Sequence, residues 1–427
     1  MSPEVADARD EPSKQQIEDP MKDPVLLAKT QHIQWICFNH WQSTPTPRKS
    51  HSSPDLTRLE LEPATAIGTA PLFEDDKASD STKHTSDQPA LIRPRSRSSV
   101  VGYVASLSKD YQGCRFLQQC LEEGGRPIFD VIYAEAMFEA PYLAGHASAN
   151  YLCQKLLERC CQKERYAFLT AVKTKLLSLC LSMHGTRVVQ KLIELGSQEQ
   201  EISLITAEFR PSFSILCQDS NGIHCIQSCL SVNNRYNGGY NWVFENVASQ
   251  CEKLSTNSVS CCIVQRCIEQ ATPSYKALLA EAVISCSLNL VTDPFGNYVV
   301  QNVLDIDDRC IRRALISALA GSAYRLAILK FSSNVIEKCL QVADEDLLEV
   351  LLEELFQGGQ SIGTVLCDPY GNYCVQAALR VYEGSINEKF DNLVGRILPF
   401  MPLLKLNMFR KRIYSKMLKR FPALDTQ

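Results

Sequence analysis

The chain of 427 residues lacks several features that would assign it quickly. It has no excess of positive charge: 44 Lys+Arg stand against 48 Asp+Glu, a net charge of −4. That excludes a uniformly basic surface, but a chain with one basic and one acidic face averages to the same value. Its 19 cysteines include no Cys-x-x-Cys pair, so zinc-ribbon spacing is absent. A thiol-rich chain of this kind suits a reducing compartment. There is no Gly-rich phosphate loop, no HExxH and no nucleophile elbow, so nothing points to an enzyme. The longest apolar stretch, Ala277 to Val291, is broken by Glu281 and polar residues, and no membrane span is expected. The acidic opening MSPEVADARDEPSK lacks a secretory pattern, and a cytoplasmic location is expected.

What is present is a repeated segment. In DPFGNYVVQNVL, Asp293 to Leu304, Asp-Pro reads as a helix start, with proline at the first helical position. Gly296 keeps the first turn thin. Val299, Val300, Val303 and Leu304 share an apolar face. Asn297 and Gln301 are four apart and stand one above the other, with Tyr298 beside them. An amide, a ring and a second amide on one turn suit a flat polar object.

A near copy, DPYGNYCVQAAL, spans Asp368 to Leu379, and six weaker copies begin at Gln112, Ser148, His184, Asn221, Val259 and Phe331. They align on Gln118, Gln154, Gln190, Gln227, Gln265, Gln301, Glu337 and Gln376. Successive copies are 36, 36, 37, 38, 36, 36 and 39 residues apart. That period predicts an all-α solenoid, each repeat burying its apolar face on its neighbours.

Residues 1–98 are rich in Ser, Thr, Pro and charge and read as a largely disordered tail. Two segments stand out there: the aromatic Gln31 to Trp41, and the basic serine cluster Arg93 to Ser99, which reads most simply as a solvated linker. Residues 99–427 read as the repeat domain. Each repeat is expected to have an outer helix and a motif helix, with room for one further turn. Val100 to Leu107 is expected as a first short helix, and Ala167 to Cys180, Tyr275 to Ser285 and Cys310 to Ala320 as outer segments. Val232 to Trp242 reads as turn, not core. Leu403 to Arg420 reads as a degenerate ninth copy that caps the array, carrying Arg410, Lys411, Arg412, Lys416, Lys419 and Arg420.

Three positions per repeat are expected to be exposed. In chain order they are Cys114, Arg115, Gln118; Asn150, Tyr151, Gln154; Thr186, Arg187, Gln190; Ile223, His224, Gln227; Cys261, Cys262, Gln265; Asn297, Tyr298, Gln301; Ser333, Asn334, Glu337; and Asn372, Tyr373, Gln376. The middle residues are mostly planar groups that stack on bases. The flanking residues are small or amide-bearing, with one carboxylate.

On these triplets the chain resembles the Pumilio (PUF) family of RNA-binding proteins, over roughly Ser99 to Gln427. The resemblance implies a right-handed superhelical crescent of eight repeats plus end caps, each repeat reading one base of single-stranded RNA, with the last repeat at the 5′ base. It implies uracil at the Asn/Gln pairs (Asn372, Asn297, Asn150), guanine at Ser333 with Glu337, and adenine at Cys261, Cys114 and Thr186 with their glutamines. The expected element is UGUANAUA, open at the fifth base because Ile223 cannot donate a hydrogen bond. Cys262 offers no ring to stack on. The family implies mRNA 3′ untranslated regions as targets, control of translation and mRNA decay, and deadenylase or repressor partners. A monomer without cofactor, metal or membrane is expected. The competing readings are a protein-binding HEAT/armadillo-like scaffold and a nucleolar relative acting on ribosomal RNA precursors.

Overall fold

The computed structural model describes residues 100–356, 359–382, 388–400, 402 and 410–418. The expectations for residues 1–98, including Gln31 to Trp41, and the whole of the Arg93–Ser99 cluster lie outside the described residues. So do Lys419 and Arg420. Every described secondary-structure element is helical, and no described helix is long and apolar enough to cross a membrane.

Three helices repeat eight times, where two with an optional turn were expected. The motif helices are Tyr111–Glu123, Ala149–Arg159, Gly185–Leu195, Gly222–Asn233, Cys261–Gln270, Gly296–Leu304, Ser332–Val342 and Gly371–Val381. A short helix precedes each one, such as Ser287–Leu290 before the sixth, and an outer helix follows, such as Arg309–Leu319. The first short helix is Val104–Lys109, a few residues later than expected. Ala167 to Cys180 is not one segment. The outer helix Gln162–Val172 passes through a 3-10 turn at Lys173–Lys175 into the short helix Leu176–Cys180.

Each motif helix packs on the next, from the first through the eighth to Arg410–Leu418. Their apolar stripes feed one continuous core. Val299, Val300, Val303 and Leu304 are all buried, as are Cys225, Cys229, Cys267 and Cys339, which pack as small hydrophobes. Burial pushes the Cys339 thiol up to about 12. In the last helix Ile413 and Met417, four apart, are buried, which is the covering face an end repeat needs.

The Val232 to Trp242 insertion departs from its sequence reading. Asn237 and Gly238 do take positive φ, of 50° and 79°, but Val232, Tyr240 and Trp242 enter the core. Asn233 folds the segment inward: its Nδ2 donates to Asn241 Oδ1 at 2.8 Å and its Oδ1 accepts from the Tyr240 amide at 2.8 Å.

Candidate nucleic-acid interface

The turn before each motif helix sets the position of the reading side chains. The Asp293 carboxylate accepts from the Phe295 and Gly296 amides at 2.8 and 2.7 Å. It therefore caps as expected, but the helix begins at Gly296 and Pro294 lies in the turn. Asp368 does the same for Tyr370 and Gly371. Eight residues before the aligned polar position, Asp110, His146, Ser182, Asp219 and Asn257 also accept backbone amides. Only Leu329, in the seventh repeat, cannot. This shared cap is not legible from the weaker copies because four residue types fill it.

Gly296 is required by a close approach. A Cβ there would lie 2.8 Å from the Leu290 carbonyl oxygen, and Gly113, Gly185, Gly222 and Gly371 meet the equivalent carbonyl. Where serine replaces glycine, Ser260 and Ser332 donate to that same carbonyl, of Leu254 and Leu326, at 2.7 Å.

The three reading positions are not equally exposed, which corrects the sequence expectation. The first is buried in seven repeats: Cys114, Asn150, Thr186, Ile223, Asn297, Ser333 and Asn372 are each at most 4% exposed. Cys261 is half-buried. Middle residues are open, with Tyr151, Tyr298 and Tyr373 at 54%, 45% and 41% and Arg115, Arg187, His224 and Asn334 also exposed; Cys262 is half-buried. The third residue is half-buried in seven repeats, and Gln376 is buried.

Asn297 is buried by its own turn. Its Nδ2 donates to the Asp293 and Pro294 carbonyls at 2.9 and 3.1 Å, and its Oδ1 accepts from Gln301 Nε2 at 3.0 Å. Asn150 with Gln154 and Asn372 with Gln376 repeat the arrangement. Only the amide nitrogen can donate to two carbonyls, so the asparagine orientation is fixed. The asparagine thus has no donor left for a ligand. The pair offers one N–H and the Oε1 of glutamine, plus a remaining lone pair on asparagine Oδ1. That set can meet the N3–H of uracil and one flanking carbonyl.

Repeats with a short first residue behave differently. Cys114 Sγ donates to the Ser148 carbonyl at 3.2 Å, and Thr186 Oγ1 donates to the Asn221 carbonyl at 3.1 Å. Both tie one repeat to the next. Gln118 and Gln265 lean back on their own helix, onto the Cys114 and Cys261 carbonyls at 3.4 and 3.3 Å. In the fourth repeat His224 Nδ1 sits 3.2 Å from Gln227 Oε1, and Gln227 Nε2 reaches Cys262 Sγ at 3.9 Å.

The row is continuous across repeats. One turn past the reading position, Glu122 pairs with Lys155 at 2.8 Å, Glu158 with Lys191 at 3.3 Å, and Asp305 with Lys338. Glu337 pairs instead with Arg380.

A family model described as the NOP9-like PUF repeat domain matches residues 73–363, and one described as the Pumilio-family RNA binding repeat matches residues 362–385. The Pumilio domain-containing protein C6G9.14 of Schizosaccharomyces pombe is 37% identical, over 78% of this chain and 50% of that protein. Pumilio homolog 12 of Arabidopsis thaliana is 33% identical, over 76% of this chain and 54% of that protein. The chain thus spans about half the length of these curated relatives. Among solved structures, the Puf4 RNA binding domain bound to the HO endonuclease RNA 3′ UTR recognition sequence superposes with a TM-score of 0.66 at 31% identity, covering 73% of this chain and 97% of that one. Eight three-helix repeats, seven of them with capped turns, and matches of this extent, lead to one conclusion: the chain belongs to the Pumilio (PUF) family of RNA-binding repeat proteins.

Proposed function

We propose that this protein binds single-stranded mRNA at UGUANAUA-like elements of 3′ untranslated regions, one base per repeat, and thereby controls translation and mRNA decay in the cytoplasm. The observation that carries this reading is the row of reading turns, alike in placement and varied in chemistry. Three repeats hold a locked Asn–Gln pair, and one, at Glu337, holds the only carboxylate. A guanine edge presents N–H donors and calls for an acceptor-only group. The exposed tyrosines, arginines and His224 supply stacking faces between bases. Recognition of a 3′ UTR sequence by the similar Puf4 domain supports the same target class. Deadenylase or repressor partners would act through surfaces other than this row.

Fluorescence anisotropy with labelled UGUANAUA RNA tests the reading. Changing its G to C is expected to weaken binding at least tenfold, and Glu337→Gln is expected to remove most of that difference. Equal binding of both RNAs by the wild type would overturn the proposal. The match to a NOP9-like repeat model favours a second reading, binding to ribosomal RNA precursors. Crosslinking in cells with sequencing of the attached RNA separates the two, and 3′ UTR reads are expected to dominate.

A further inference from the structure

We infer that Arg380 is a positioning residue for guanine selection, holding the Glu337 carboxylate in its reading orientation. The inference rests on the proposal that Glu337 faces guanine. It comes from a break in the ion-pair pattern between motif helices. At three other junctions, the first, second and sixth, the acid stands four residues after the reading position (Glu122, Glu158, Asp305), and the base stands one residue after it in the following repeat (Lys155, Lys191, Lys338). The three junctions between them lack one partner, with Ser228, Ser231 and Asn302 in its place. At the junction of the seventh and eighth repeats both places are vacated: they hold Gln341 and Ala377. The acid has moved one turn back, onto the reading position itself. The base has moved one turn forward, to Arg380. The pair survives, relocated onto the site that reads a base.

The geometry specifies what Arg380 contributes. Its Nη2 donates to Glu337 Oε1. Each carboxylate oxygen accepts more than one hydrogen bond, so Oε2 and a second lone pair of Oε1 remain for the two N–H groups of guanine. Glu337 has no asparagine to orient it, unlike Gln301 and Gln376. Its neighbour at the first position, Ser333, turns its hydroxyl to the Lys330 carbonyl at 3.4 Å. The next repeat therefore supplies the orienting contact that the Asn–Gln repeats supply from within. The guanidinium also keeps the carboxylate paired when a base covers it, and an unpaired charge would be costly there.

The test is a double-mutant cycle on the full chain, read as the ratio of affinities for UGUANAUA and the same RNA with adenine in place of guanine. Arg380→Ala is expected to lower that ratio about tenfold, through weaker binding of the guanine RNA, because contacts to charged groups are of that size. Arg380→Lys, which keeps a donor and the charge, is expected to restore most of it. In a Glu337→Gln background, Arg380→Ala is expected to change the ratio no further. A general phosphate or structural role would weaken both RNAs equally and leave the ratio unmoved, which overturns the inference. A ratio that rises in Arg380→Ala would mean the arginine competes with guanine, and overturns it too. A wild type indifferent to guanine would instead bring down the functional proposal on which this rests.

Discussion

Two neighbouring side chains, Asn297 and Tyr298, divide the task of one turn. Asn297 is tied by three hydrogen bonds and buried, and it aims the Gln301 amide. Tyr298 is 45% exposed and free to stack. Tyr298→Ala is therefore expected to weaken RNA binding about tenfold, within the range of a lost stacking partner, while leaving the melting temperature unchanged. A matched pair of anisotropy and thermal-unfolding measurements checks this. The residue types at the reading positions were legible in the sequence, but the burial of asparagine was not. It depends on two carbonyls of the preceding turn, whose direction no periodicity encodes. The thiols follow a simpler rule. Burial holds Cys339 and Cys217 up at about 12, so at pH 8 they are almost entirely protonated. Cys161 and Cys310 are exposed. Mass spectrometry after brief iodoacetamide treatment of the folded protein is expected to find label at Cys161 and Cys310 and none at Cys339 or Cys217.

At the scale of the helix, ends and junctions set the geometry. Removing the cap with Asp293→Ala is expected to destabilise the protein by about 0.5–2 kcal/mol, seen as an earlier denaturant midpoint. A larger effect is expected between the second and third outer helices, Gln162–Val172 and Glu199–Phe209. There Glu201 is 1% exposed and accepts from Arg165 Nε at 2.7 Å and Nη2 at 3.3 Å, and from the Ser197 and Gln198 amides. Arg165→Ala strands a buried carboxylate and should cost about 3 kcal/mol or more, measured by chemical unfolding. Motif helices were legible because their apolar stripe and polar turn recur at a fixed period. The short helices after the first were not, since four to nine residues such as Ser287–Leu290 are too few to show a period. The insertion at 232–242 misled for a related reason. Its Asn and Gly content does mark a turn, yet Tyr240 and Trp242 within it fill the core.

The repeat domain is a stack in which each repeat completes its neighbour. The repeat spacing revealed this before any helix was placed, because no single repeat buries its own apolar face. Charge told less. Residues 101–427 hold 32 Lys+Arg and 33 Asp+Glu, the totals of 44 and 48 less 12 and 15 in residues 1–100. Many of these charges are consumed in pairs between repeats, as in Lys155 with Glu122 and Arg396 with Glu353. RNA affinity is still expected to fall as salt rises, for every sequence alike, through the loss of phosphate attraction. The slope of log affinity against log salt measures it, and base changes should shift that line without tilting it. The central claim, that eight turns in a row specify eight bases in reverse order, meets its most direct test in selection from a random RNA pool followed by sequencing. The account predicts enrichment of UGUANAUA, with guanine most strictly kept and the fifth base free. Enrichment of no motif, or of one whose invariant purine lies elsewhere than opposite Glu337, would contradict it.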